Sequence, residues 1–159
     1  MGRSIIIYRH RRGFTLIELL VVISIIGLLA TMATVALRNA RIKGRDAARL
    51  GDMKQLHTAM ELCADGNSGS YTTPTACCTV GANRDVFQCT GALLTTYSPD
   101  IVNMKDPSNV AVATVCNYAN SAPCEYNFPA APLTNAYTVY FYLEGNGGQN
   151  KMLTQTGIQ

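Results

Sequence analysis

The sequence predicts an α+β fold, in which a long amino-terminal α-helix packs on a small carboxy-terminal antiparallel β-sheet. Three observations carry that expectation. Nineteen residues from Leu19 to Leu37 contain no charge; at about 1.5 Å per residue they nearly cross a bilayer core of roughly 30 Å. Helical periodicity then continues beyond that run. Near the other end, Tyr137, Val139, Phe141 and Leu143 alternate with Thr138, Tyr140 and Tyr142, the period of a strand with two different faces.

The helix is justified in two halves. From Phe14 to Leu37 it is apolar on every side, apart from one carboxylate, Glu18. After Leu37 the apolar residues narrow to a stripe of Ile42, Leu50, Met53, Leu56, Met60 and Cys63, with Ala47 beside it. Spacings of three and four mark one face of an amphipathic helix. Arg45, Asp46, Arg49, Asp52, Lys54 and Glu61 are assigned to the opposite, charged face, with Arg45 and Arg49 as a like-charge pair. The helix is expected to run without a break from Phe14 to Cys63, with Gly27 as a close-packing position and Gly44 and Gly51 as local bends. The breakers from Asp65 to Ser70 end it.

The remainder reads as a loop-rich domain. Thr72 to Ser98 is expected to be loop, with a short helix near Thr90 to Tyr97. Strands are expected at Val110–Val115, Glu125–Phe128, Tyr137–Leu143 and Met152–Thr156, with a Gly-rich turn from Glu144 to Asn150. A sheet of three or four strands would cover the helix stripe.

All six cysteines, Cys63, Cys77, Cys78, Cys89, Cys116 and Cys124, follow the apolar run. That distribution suits an oxidising compartment and disulfides that staple a modest core; buried free thiols are the alternative. Six cysteines permit fifteen pairings, so connectivity stays open. The neighbours Cys77 and Cys78 are expected to take different partners. Zinc is disfavoured because the chain has no C-x-x-C pair and no nearby pair of histidines.

Charge is front-loaded. The chain of 159 residues carries a net +3, with 14% charged residues. Arg3, Arg9, Arg11 and Arg12 precede the apolar run, and most other basic residues lie between Arg38 and Lys54. The distal part offers no cluster of basic and aromatic residues, so no specific nucleic-acid surface is indicated. No catalytic constellation is found either: His10 and His57 are far apart in sequence, and no phosphate loop, nucleophile elbow or H-E-x-x-H occurs. Neither an enzyme nor a cofactor is expected. His57 reads as a helix-surface or interface residue.

Glu18 needs a separate account, because a carboxylate in hydrocarbon is costly and by default functional. Residues Gly13 to Glu18 read GFTLIE, after a basic leader ending at Arg11-Arg12. A secretory signal has a shorter apolar region and a cleavage site after it. The arrangement here resembles the amino terminus of type IV prepilins, and that resemblance implies the following. A prepilin peptidase cuts after Gly13 on the cytoplasmic side and methylates the new amine of Phe14. Glu18 serves filament assembly, pairing with the amine of a neighbouring subunit so that two buried charges compensate each other; snorkelling of Glu18 to the interface is the alternative. The fold is then the pilin fold. It comprises a leader over 1–13, a membrane and filament-core helix over 14–37, its amphipathic continuation over 38–64 and a disulfide-stapled β-domain over 65–159. The partners are the peptidase and methyltransferase, the inner membrane, an inner-membrane assembly platform and identical subunits in a helical filament, which lies outside the inner membrane after assembly. Many members carry a proline where this chain has Val35, so any loosening of the helix would fall to Gly27 or the Thr31 and Thr34 region.

Two versions of the filament stay open. Asp65–Tyr71 and the Asp106-Pro107 segment are similar to stretches of the major pseudopilins of type II secretion, whereas six cysteines suit a durable surface pilus. The calcium held by such pseudopilins does not transfer readily, because the loop from Glu144 to Asn150 offers only Glu144, Asn146, Gln149 and Asn150. An anchored minor pilin acting as adhesin or DNA-binding module is the third reading.

Overall fold

The computed structural model describes residues 13–72, 77–78, 84–89, 91–108, 116–117, 119 and 122–159. Its elements are α1 (Leu16–Gly66), β1 (Arg84–Asp85), α2 (Ala92–Tyr97), β2 (Asn127–Phe128), β3 (Thr138–Leu143), β4 (Gln149–Thr154) and β5 (Gly157–Ile158), with short 3-10 turns at Val86–Gln88, Pro99–Asn103 and Gly145–Gly147. The chain divides into two compact units, Met1–Asn39 and Ala40–Gln159, to each of which α1 contributes.

In the first unit α1 is apolar and exposed on all sides from Leu16 to Leu37. It is long and apolar enough to cross a membrane, with a window of mean hydropathy 2.6. Its hydroxyls make no demand on their surroundings. Ser24 donates to the Leu20 carbonyl at 2.8 Å, Thr31 to that of Leu28 at 2.8 Å and Thr34 to that of Ala30 at 2.9 Å. Satisfied this way, polar side chains can enter hydrocarbon without a partner from outside the helix. The helix assignment is unbroken through Gly27, Thr31, Thr34 and Val35.

In the second unit the apolar stripe does what its spacing predicts. Met53, Leu56, Ala59, Met60 and Cys63 are buried against Tyr126, Phe128, Val139, Phe141 and Leu153. Each fully buried Met, Leu or Phe contributes about 1.5–3 kcal/mol. Ala47 is exposed and plays no part in this face. Gly44 and Gly51 lie in uninterrupted helix, where bends were expected. Helix α1 ends in a left-handed turn at Ser68 (φ 58°) and Gly69 (φ 81°), which lets the Gly69 N–H reach back to the Ala64 carbonyl at 2.8 Å.

Among the described residues the sheet is antiparallel with five strands in sequence order, β1-β2-β3-β4-β5, against three or four expected. The β3–β4 hairpin is its longest pairing, running in register from Thr138↔Thr154 to Leu143↔Gln149. The returning strand begins at Gln149 rather than Met152, because Gly145–Gly147 forms a single 3-10 turn and shortens the connection. The positive φ of Gly157 (107°) then turns the chain back into β5, a strand not expected. The expected strand at Val110–Val115 lies outside the described residues; the short strand β1, also not expected, pairs with β2. The two faces of β3 differ as predicted, with Val139 and Phe141 in the main core. The other face is covered as well: Tyr142, with Tyr140 beside it, packs on the buried Cys116 and Cys124.

Three disulfides join Cys63 to Cys77, Cys78 to Cys89 and Cys116 to Cys124, so Cys77 and Cys78 do take different partners. The loops they close are short, and restricting the unfolded chain stabilises by about 2–3 kcal/mol per bond. All six residues are at most 3% exposed. We therefore expect no thiol to titrate in the unreduced native protein, six to titrate after reduction and unfolding, and the unfolding midpoint to fall steeply with reductant. Thiol counting with non-reducing peptide mapping checks it; six titratable thiols without reductant would contradict these cross-links.

Candidate assembly site

The amino-terminal site is built from Gly13 to Glu18. Gly13, Phe14 and Thr15 precede the helix, and Phe14 is 83% exposed. The bond between Gly13 and Phe14 is thus free of helical hydrogen bonding, as a protease substrate must be. Thr15 is the N-cap. Its hydroxyl oxygen accepts from the Glu18 N–H at 3.2 Å, and Glu18 Oε2 accepts from the Thr15 N–H at 2.9 Å. The Thr15 hydroxyl also donates to the same carboxylate oxygen at 2.8 Å. This is a capping box, the reciprocal arrangement encoded by T-x-x-E. Phe14, Ile17, Val21 and Val22 surround the acid with apolar surface.

The cost of a charge in apolar surroundings does not by itself reveal this capping role; the signal that does is the local pattern Thr15-Leu16-Ile17-Glu18. It also explains why α1 starts at Leu16 rather than Phe14. Within the single chain the carboxylate is engaged by its own helix start, where the partial positive charge of the unpaired N–H groups favours an acid. The main-chain amine of Phe14 becomes a free group only if the chain is cut after Gly13.

A second cluster lies in the other unit and shows that part of the charged face is buried. Arg49 is fully buried. Its guanidinium donates to both oxygens of Asp106, at 2.7 and 2.9 Å, and to Asp46 Oδ1 at 2.7 Å; it also lies 2.7 Å from Glu144 Oε1. Arg45 pairs with Glu144 too, through Nε at 2.7 Å and through Nη2. The like-charge pair on the helix is therefore bridged by a shared carboxylate. Asp46 in turn accepts the backbone N–H groups of Glu144 and Gly145 at 2.9 and 2.7 Å. Burial works against the Arg49 charge, but hydrogen bonds to Asp106, Glu144 and Asp46 outweigh it and hold its pKa above the ordinary arginine value. Hydrogen bonding from Arg45, then from Arg49, lowers the Glu144 carboxyl to about 2 against the opposing effect of burial. Glu144, the best ligand in the loop weighed for calcium, is thereby committed to two arginines.

Two smaller contacts complete the helix face. Tyr126 donates its hydroxyl to Asp52 at 2.9 Å, and burial raises the pKa of both. His57, expected at the helix surface or an interface, is half-buried and sits 2.7 Å from the Tyr137 hydroxyl, between helix and sheet.

Comparison with known proteins bears on the first site. Residues 8–34 match the family model described as the prokaryotic N-terminal methylation motif. Over 60 residues the chain is 38% identical to the type IV major fimbrial protein FimA of Dichelobacter nodosus, a match covering 37% of this chain and 38% of that protein. The chain thus spans well under half the length of that relative. No solved structure matches. A long apolar amino-terminal helix followed by a five-stranded antiparallel sheet makes the fold pilin-like.

Proposed function

We propose that this pilin-like chain, with its amino-terminal methylation motif, is a prepilin: a structural, non-catalytic subunit that is processed at the inner membrane and polymerises into a filament. In this reading residues 1–13 are a cytoplasmic leader, 14–37 span the membrane and later form the filament core, 38–64 continue the helix and 65–159 form the stapled outer domain. A prepilin peptidase cuts between Gly13 and Phe14 and methylates the Phe14 amine. Glu18 then pairs with that amine on the next subunit. The observation that carries the reading is a lone acid, one helical turn beyond an accessible non-helical Gly-Phe bond, at the head of a helix exposed and apolar on every side. Among the described residues nothing covers this stretch of helix, and a bilayer or a bundle of identical helices would.

Between a surface pilus and a secretion pseudopilus, the likeness to a major fimbrial protein favours the pilus. Intact-mass analysis of envelope protein, with electron microscopy of sheared surface material, tests the proposal. We expect a mature chain beginning at Phe14, heavier by one methyl group, and filaments labelled along their length by antibody to the 65–159 domain. A mature chain retaining Arg11-Arg12-Gly13 would refute processing. Label confined to filament tips would favour the minor-pilin adhesin or DNA-binding reading.

A further inference from the structure

Around β1 and β2 the core residues lie on one side. Val86, Tyr126 and Phe128 all belong to the main core. Alternation along extended chain sends Asp85, Glu125 and Asn127 to the opposite side, yet these are buried too, at 5%, 2% and 1% exposed. Asp85 and Asn127 are direct register partners, so their side chains stand together with Cβ atoms about 4.5–5.5 Å apart. The Asn127 amide is oriented by donating Nδ2 to the Cys116 carbonyl at 3.0 Å. That leaves Asn127 Oδ1 buried with no hydrogen-bond partner among the described residues, and Asp85 Oδ1 is in the same condition. Glu125 uses Oε2 to accept the Asp106 N–H at 3.1 Å. The positive charges of Arg84 and Lys105 act on Asp85 only through space, and the Lys105 ammonium sits over the Phe87 ring at 4.9 Å. Two buried acceptors side by side, next to a second acid, are unfavourable unless something positive lies among them.

We propose that Asp85, Glu125 and Asn127 bind a hard divalent cation of calcium's kind. Carboxylate and amide oxygens are the ligands such an ion prefers. No thiolate competes, since every cysteine is in a disulfide. The ion would fasten β1 to β2 beside the Cys116–Cys124 loop. This place is distinct from the β3–β4 connection, whose Glu144 is held by Arg45 and Arg49.

The test uses the full chain in detergent, stripped with chelator and then titrated with calcium chloride while thermal unfolding is followed. Terbium luminescence sensitised by tyrosine gives a direct binding readout. At a hundredfold excess over Kd, Tm should rise by about 5–10 °C. Asp85→Asn should abolish the shift and the terbium signal. Asn127→Asp, which adds a third carboxylate, should tighten calcium binding severalfold, and this still decides the matter if Asp85→Asn folds poorly. Glu144→Gln should leave the calcium shift unchanged. Absence of any shift in the unsubstituted chain would overturn the proposal; Asp85→Asn stability equal to the parent would then point to a shared proton instead. Loss of the shift in Glu144→Gln would also overturn it, by moving the ion to the β3–β4 connection.

Discussion

Replacing Arg49 by methionine is expected to destabilise the second unit by about 3–5 kcal/mol, the cost of leaving a buried carboxylate without its partner. The stranded group is Asp106, 3% exposed and held through both oxygens. Removing the stranded acid as well should recover most of the loss in Arg49→Met with Asp106→Leu, since apolar groups can replace a buried ion pair, while Glu144 keeps Arg45 and Asp46 keeps the N–H groups of Glu144 and Gly145. Denaturant unfolding of the full chain in detergent measures both. A loss below about 1 kcal/mol in the single variant would mean that Asp106 reaches water or another cation. The same cluster sets a pH dependence. Glu144 has its folded pKa lowered to about 2 from 4.5, so its stabilising contribution is complete above the ordinary carboxylate range and is lost as pH falls from about 4.5 towards 2. Glu144→Gln should flatten the acid limb of the stability curve over that interval.

Glu18 variants are expected to separate two roles of one side chain. Glu18→Val removes both the charge and the capping acceptor. Insertion and cleavage should stay near normal, because the helix becomes more apolar, while filament yield should collapse. Glu18→Gln keeps an acceptor that can serve the capping box but removes the charge, and it should fail to polymerise almost as completely. Glu18→Asp, with charge retained and reach shortened, should fall between. Thr15→Val removes the cap hydroxyl yet leaves the acid, costing about 0.5–2 kcal/mol of helix-start stability and little filament. Filament yield against the membrane pool, with cleavage followed on the same gel, is the measurement. Normal filaments from Glu18→Gln would assign the residue to capping, and the pairing with a neighbour's amine would fall.

Much of the architecture was legible because it rests on periodicity. The stripe Met53, Leu56, Met60 and Cys63 and the alternation of β3 are repeating patterns, and each repeat reinforces the last. The helix start is encoded too, in T-x-x-E, but apolar periodicity alone places it at Phe14 instead of Leu16. What escaped was either short or long-range. Strands of two residues, β1 and β5, have no period to detect. The burial of Arg49 depends on Asp106 and Glu144, 57 and 95 positions away, and no local pattern distinguishes an arginine that meets two acids in the fold from one that faces water. Asp46 takes its place on the charged face from helical spacing, whereas its work is to accept N–H groups of the β3–β4 connection.

The disulfide pattern has a topological consequence. Each bond joins a cysteine to the next one along the chain, 63 to 77, 78 to 89 and 116 to 124, so the three rings are strung in series and none encloses or crosses another. A polypeptide made from its amino terminus can seal each ring before the next pair of sulfurs arrives. Oxidation in order of emergence then gives the native pairing directly, without a wrong partner to be exchanged later. Because the rings share no residues, opening one leaves the other two intact.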